Sequence, residues 1–239
     1  MGNGGGRGLS CPSYICAALH PLPLLFNRVK YRSVLLLILL ILLVDQWSKI
    51  YVKTHFYYGE EIPYIGSWAR LHFLENEGMA FGLKISNTPI GKLVLTLFRL
   101  GAVVFGFNLI YRFVKKGASK GLIICSALIL AGALGNLIDS MFYGLIFSES
   151  TFQVAELVPF GQGYGKFLHG RVVDMFYFPL VNTRLPEGLP LIGGMHISFF
   201  EPVFNVADAA ISIGVITLLL FQKRFMGKPA TQETVEVGR

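Results

Sequence analysis

The chain contains only four aspartates, Asp45, Asp139, Asp174 and Asp208, and three of them lie inside long apolar runs. A carboxylate near mid-bilayer costs about 2.5–3.5 kcal/mol on insertion scales, so such groups face a protein interior and mark a relay, an ion path or an active site. A helix–helix polar contact is the plainer alternative. Two acids held close together cannot both ionise easily. They share a proton, and one then serves as general base on water while the other serves as general acid. Other chemistries have less behind them. The histidines His20, His55, His72, His169 and His196 have no metal-ligand spacing such as H-E-x-x-H, and no glycine-rich phosphate loop follows a strand-like run. Ser48 and Lys49 are sequence neighbours, about 100° apart on a helix, which is a weak arrangement for a serine nucleophile and its lysine base. The cysteines, Cys11, Cys16 and Cys125, are odd in number and form no C-x-x-C pair, so they read as structural.

Spacing supplies a supporting cast. Asn205, Asp208 and Ser212 fall at i, i+3, i+7, and Gly132, Gly135, Asn136 and Asp139 at i, i+3, i+4, i+7, so each set lies on one face of a helix. Asp45 and Lys49 are an i, i+4 pair that either anchors a helix end or orients groups around the site, such as a substrate carbonyl or the Asn76 loop. Arg99 is a cation inside another apolar run.

The elements that must hold these residues follow from composition. Of the 239 residues 53% are hydrophobic and only 15% charged, with a mean hydropathy of +0.57, which disfavours a soluble globular domain and excludes a solvated tail. Residues 34–44 are eleven consecutive aliphatic residues, and four runs, about 33–52, 89–113, 121–147 and 199–222, are each long enough to cross the ~30 Å hydrocarbon core. The fold expected is an all-α membrane protein of four transmembrane helices. Twelve of the 21 Lys and Arg residues flank the runs on one side, so both termini are expected in the cytoplasm and the formal charge of +7 reports orientation, not a nucleic-acid partner. Asp45, Asp139 and Asp208 then converge on one outer layer, towards which the outer segment carrying Asp174 also lies. The outer segments, rich in turn residues and aromatics, suit short strands and interface belts. Residues 1–27 read as a disordered extension, 28–226 as the membrane domain and 227–239 as a cytoplasmic tail. A proton- or cation-coupled transporter using the intramembrane aspartates is the competing reading. It requires polar residues through both halves of the bilayer, and the inner halves, such as 121–130, are almost wholly apolar.

Five segments taken together resemble the lipoprotein signal peptidase (signal peptidase II) family of membrane aspartyl peptidases. They are Asp45-Gln46-Trp47-Ser48-Lys49, Asn76-Glu77-Gly78-Met79-Ala80-Phe81-Gly82, Gly132-Ala133-Leu134-Gly135-Asn136-Leu137-Ile138-Asp139, Val172-Val173-Asp174-Met175-Phe176, and Phe204-Asn205-Val206-Ala207-Asp208 with Ile211 and Gly214. The match covers roughly 34–222. The resemblance implies an aspartic endopeptidase that removes the signal peptide from diacylglyceryl-modified prolipoproteins by cutting before the lipidated cysteine. It implies a catalytic dyad of Asp174 and Asp208, with Asp45, Lys49, Asn76, Gly78, Asn136, Asp139 and Asn205 positioning or binding substrate, and no metal or organic cofactor. It also implies four helices with a small β-like extracytoplasmic cradle, in the bacterial cytoplasmic (inner) membrane with the active site on the extracytoplasmic face. The partners expected are the prolipoprotein and membrane lipid, with no nucleic acid, and the unit expected is a monomer. Two departures stand out. Ser140 occupies the place where the family's motif usually continues into an arginine, and Arg99 is a candidate replacement. Asp139 to Asp174 and Asp174 to Asp208 are separated by 35 and 34 residues, with apparent insertions at 147–170 and 180–196 that read as lids, substrate-selecting loops or surface elaboration. The glycines of 161–165 suggest mobility there.

Overall fold

The computed structural model describes residues 29–66, 68–77, 89–179, 181–184, 187, 194, 196–199 and 202–225. The extension 1–27, the tail 227–239, the placement of both termini, Gly78 and most of 180–196 lie outside them. Helix α1, Tyr31–His55, is aliphatic on most of its circumference, and its lipid-facing side exposes Leu36, Leu40, Leu43 and Trp47. The opposite stripe buries Val34, Ile38, Asp45, Lys49, Val52 and Lys53, so the charged side chains beyond the first turn of α1 face the protein, while Arg32 in that turn is exposed. Helix α2, Pro89–Lys115, and helix α3, Lys120–Ile138, follow, and α3 is the central helix, packed against α1, α2 and the helix of residues 206–220. At Asp139–Tyr143 the helix widens into a π-helical turn before a last short helix, α4, Gly144–Ile146. Helix α5, Val206–Leu220, precedes a short α6, Gln222–Phe225.

Among the described residues three helical stretches are long and apolar enough to cross a membrane, Tyr31–His55, Ile90–Lys115 and Lys120–Ile146, so the expectation of four transmembrane helices is corrected to three. The fourth run, 199–222, does not form one helix. Phe199, Val203 and Phe204 are in strands, and α5 keeps 15 residues, about 22 Å at 1.5 Å per residue, short of the ~30 Å core. The boundary is chemical. Pro202 precedes strand β6, Val203–Phe204, and Asn205 then caps α5 by accepting a hydrogen bond from Asp208 N at 2.9 Å.

The all-α expectation is corrected as well. Strands β1, Glu61–Ile65, β2, Ala69–Asn76, β3, Val172–Tyr177, and β6 form one antiparallel sheet in the order β1-β2-β3-β6, drawing on both outer segments. Register pairs Leu74 with Asp174, Asn76 with Val172, and Phe176 with Phe204. A separate pair, β4, Val181–Arg184, and β5, His196–Phe199, brackets the two ends of the second insertion.

The first insertion is laced onto the end of the α3–α4 helix. A helix C-terminus leaves its last carbonyls without partners, which is costly where water is scarce. Here the returning chain supplies the missing donors. Val158 N reaches Ile146 O (2.9 Å), Gly161 N reaches Leu145 O (3.0 Å), Tyr164 N reaches Phe147 O (2.9 Å), Gly165 N reaches Gly144 O (2.8 Å), and Gly170 N reaches Ser140 O (2.8 Å). A Cβ on Gly170 would sit 2.1 Å from Asp139 O, so glycine at 170 serves close backbone approach.

The α3–α5 contact depends on the same economy of size. A Cβ on Gly132 would lie 2.1 Å from Ala207 O and 2.6 Å from Ile211 Cγ1. Gly132→Ala should therefore push α5 away from α3 and cost about 1–3 kcal/mol, as overpacking does. Gly101→Ala, where a Cβ meets nothing within 4 Å, should be neutral or slightly stabilising. Thermal unfolding of both variants in detergent checks the contrast.

Candidate active site

The site lies where the outer ends of α1 and α3, the first turn of α5 and strand β3 meet. Its centre is Lys49, whose side chain is fully buried. The Nζ atom lies 2.9 Å from Asp45 Oδ2, 2.7 Å from Asp139 Oδ2, and donates to Asn136 Oδ1 at 2.9 Å. The i, i+4 pair on α1 is thus half of a bridge that ties α1 to α3. Asp45 also reaches α5. Its Oδ1 accepts from Ala207 N at 2.8 Å, so α1 places a carboxylate on the positive N-terminal end of that helix.

The lysine sets the orientation of two amides. Because an ammonium only donates, Asn136 must present Oδ1 to Lys49, which leaves Nδ2 to donate to Asp208 Oδ1 at 2.7 Å. Asn205 is fixed by its cap. Its Oδ1 accepts from Asp208 N, so Nδ2 turns to Asp174 Oδ1 (2.7 Å), with Val173 O at 3.2 Å and Asn136 Oδ1 at 3.3 Å. Each of the two aspartates read as the dyad therefore accepts a hydrogen bond from one asparagine, and the two asparagines are bonded to each other. Asn76, at the end of β2, also bonds Asp174.

Asp174 is 4% exposed and Asp208 half-buried. Burial, reinforced by the charge of Asp208, pushes the Asp174 carboxyl up to about 7, against the opposing pull of Lys49, Asn205 and Asn76. A carboxyl that keeps its proton near neutrality can act as an acid beside an ionised partner.

Of the residues singled out by sequence, Asp45, Lys49, Asn76, Asn136, Asp139, Asp174, Asn205 and Asp208 come together, while Gly78 lies outside the described residues. Gln46 has a part that its type and position did not reveal. It donates to Asp139 Oδ1 (2.8 Å) and accepts from the Tyr143 hydroxyl (3.2 Å), which locks the π-helical turn to α1. Arg99 donates to Ser140 Oγ at 3.3 Å and lies in electrostatic reach of Asp208, Asp139 and Asp174. A guanidinium from α2 thus stands beside the serine.

A second polar cluster, not foreseen from sequence, braces the sheet. Lys53, one turn beyond Lys49, pairs with Glu75 of β2 and donates to Ser150 Oγ (2.8 Å), which in turn donates to Glu75 Oε1 (2.8 Å). Arg171, three residues before Asp174, bonds Glu75 Oε2 (3.0 Å) and both carboxylate oxygens of Glu149. Burial works against ionisation of Glu149, but the hydrogen bonds from Arg171, Thr151 and Ser150 N and the charge of Arg171 together outweigh it and hold this carboxyl below its ordinary value.

A family model described as signal peptidase (SPase) II matches residues 37–223, well over half of the chain. The chain belongs to the signal peptidase II family. A lipoprotein signal peptidase of Porphyromonas gingivalis is 48% identical over 194 residues, covering 81% of this chain and 84% of that protein. One from Amoebophilus asiaticus is 35% identical over 203 residues, covering 83% and 81%. A solved bacterial membrane enzyme has the same fold at a TM-score of 0.51 and 21% identity, covering 84% of this chain and 94% of its own. This signal peptidase II is an aspartic endopeptidase that removes signal peptides from lipoproteins, and it is a multi-pass protein of the inner membrane.

Removing the central cation isolates its contribution. Lys49→Met leaves the carboxylates of Asp45 and Asp139 buried without their shared partner, and breaking such a pair by deleting one side costs about 3–5 kcal/mol. The variant should unfold at markedly lower temperature in detergent, whereas Lys223→Met on the exposed α6 should not shift the transition.

Proposed function

We propose that Asp174 and Asp208 are the catalytic dyad, and that the bond cut is the amide preceding the diacylglyceryl-modified cysteine of a prolipoprotein. The observation that carries this reading is the pair of asparagine donors: Asn205 on Asp174 and Asn136 on Asp208, with the Asp174 carboxyl raised to about 7. Asp208 takes a proton from water as its oxygen attacks the scissile carbonyl carbon, and Asp174 gives its proton to the carbonyl oxygen. In the collapse of the tetrahedral intermediate, Asp208 passes its proton to the amide nitrogen, the C–N bond breaks, and Asp174 recovers a proton from the gem-diol. The products are a signal-peptide carboxylate and a lipoprotein whose cysteine carries a free amine.

Asp45, Lys49, Asn76, Asp139, Asn136 and Asn205 act as positioning groups, and Gly78 belongs to the same motif. Arg99 is assigned the task of the family arginine that Ser140 lacks, supported by its bond to Ser140. The domain doing this work is 28–226. The site faces the extracytoplasmic side, a reading supported by the basic residues Arg112, Lys115, Lys116 and Lys120 at the opposite end of α2 and α3. The depth suits the substrate, because its acyl chains, worth ~0.8 kcal/mol per buried CH₂, hold the cysteine at the membrane surface. Both aspartates of the dyad and the asparagines that donate to them belong to one chain, which supports a monomer.

Cleavage of a diacylglyceryl prolipoprotein by purified protein in lipid is the deciding experiment. Asp174→Asn and Asp208→Asn should each be folded and lose at least about 10³-fold in kcat, as removal of a group from a cooperating catalytic unit does. Cleavage surviving in the Asp174→Asn variant would move the dyad elsewhere. Wild-type kcat/KM should fall as pH rises through about 7 and Asp174 loses its proton. Stability has the same direction. The folded state holds this proton up to about pH 7 and the unfolded chain releases it near the ordinary carboxylate value of 3.8, so wild type loses stability relative to Asp174→Asn between those values. Melting curves of the two proteins across that window check it.

A further inference from the structure

We propose that the first insertion carries a lipid-facing edge, in which Leu157, Phe160 and Phe167 seat in the interfacial layer of the bilayer on the side of the site. The inference rests on the membrane location of the protein and stands whether or not the dyad assignment does.

Depth is the first observation. Phe167 packs its ring 5.9 Å from that of Phe142, a residue inside the membrane-length stretch Lys120–Ile146, and the next residue donates from Leu168 N to Met141 O at 3.3 Å. Leu157 bridges Phe147, one residue beyond that stretch, while Val158 and Gly161 bond Ile146 and Leu145, its last two residues. The insertion therefore lies alongside the membrane-exit end of the helix, with Phe167 about five residues deeper than Leu157, or roughly 7.5 Å at 1.5 Å per residue.

The second observation is polarity. Leu157, Phe160 and Phe167 are 65%, 73% and 47% exposed. Two polar groups of the segment turn inward, Ser150 against Lys53 and Glu75 and the Tyr164 hydroxyl, which accepts from Arg171 N, while Thr151, Gln153, Glu156, Gln162 and Lys166 stay exposed. An outer surface that mixes large apolar side chains with polar ones is the composition of the interfacial layer, where apolar bodies and wet polar ends meet. Scattered exposed apolar residues are ordinary, so it is the position of these three alongside the exit end of a membrane-length helix that identifies lipid. Lys166, exposed beside Phe167, has the reach to bring its ammonium to a lipid phosphate while its stem lies along the apolar layer. Lipid is the occupant that fits, because the edge continues the lipid-facing surface of the helix to which it is bonded.

The full chain, reconstituted without substrate into vesicles of phosphatidylethanolamine and phosphatidylglycerol, provides the test. Its native cysteines are changed to serine and a nitroxide is attached singly at Leu157→Cys, Phe160→Cys or Phe167→Cys, with the exposed Thr151→Cys as the water-side reference. The three edge positions should be more accessible to oxygen than to a water-soluble nickel chelate, Phe167 most of all, and Thr151 should show the opposite. Equal exposure of all four to the nickel chelate would overturn the proposal, and so would dipolar broadening at the edge positions, which would mean that a second copy covers it. A label-free variant guards against damage from the cysteine changes. In a Trp47→Phe, Trp68→Phe background, Phe160→Trp should emit to the blue and be quenched by brominated lipid. Emission at the wavelength of tryptophan in water, without such quenching, would also overturn it.

Discussion

The ammonium of Lys49, enclosed by Asp45, Asp139 and Asn136, is the interaction on which the rest of the site depends. One positive charge neutralises part of the charge on two buried acids and draws together α1 and α3, while Asp45 extends the tie to the start of α5. In an apolar setting such a triad offers little net stability over a hydrophobic packing, since desolvation offsets most of the attraction. What it contributes is direction. It dictates which way Asn136 turns, and through Asn136 it dictates what Asp208 receives.

The two halves of the site are held by different kinds of structure. Asp208 stands on a helix whose first turn is capped by its own Asn205 and by the distant Asp45, so its backbone is fixed at the point where strand β6 becomes α5. Asp174 stands on a strand braced from one side by β2 and from the other by β6, with the Lys53–Glu75–Arg171 cluster clamped just ahead of it. Asn205 belongs to both, as the hinge residue of the first and the hydrogen-bond donor of the second.

Much of this was legible in the chain, and the failures have physical causes. The long aliphatic runs of α1, α2 and α3 are unambiguous, and buried acids are costly enough to announce themselves. The run at 199–222 misled because Phe199, Val203 and Phe204 are as apolar as a membrane helix, and a short apolar run does not distinguish strand from helix. Pro202 and the capping Asn205 were the available signals. Gln46 and the Lys53–Glu75–Arg171 cluster were missed because pairing across about a hundred residues leaves no trace in local spacing. The glycines of 161–165 suggest mobility, but at Gly163 the missing side chain makes room for a neighbouring carbonyl.

The sheet has a consequence for how the molecule is made. Strands β1 and β2 come from between α1 and α2, whereas β3 and β6 come from beyond α4, so the register of Leu74 with Asp174 joins parts of the chain a hundred residues apart. Membrane helices can be inserted one by one, each satisfying its own backbone, but a strand pairing of this range must wait for both partners. Competence for catalysis is therefore acquired last, after every membrane-length helix has been delivered. A partly synthesised or partly inserted chain holds its acids apart and presents no working site to the lipoproteins passing beside it.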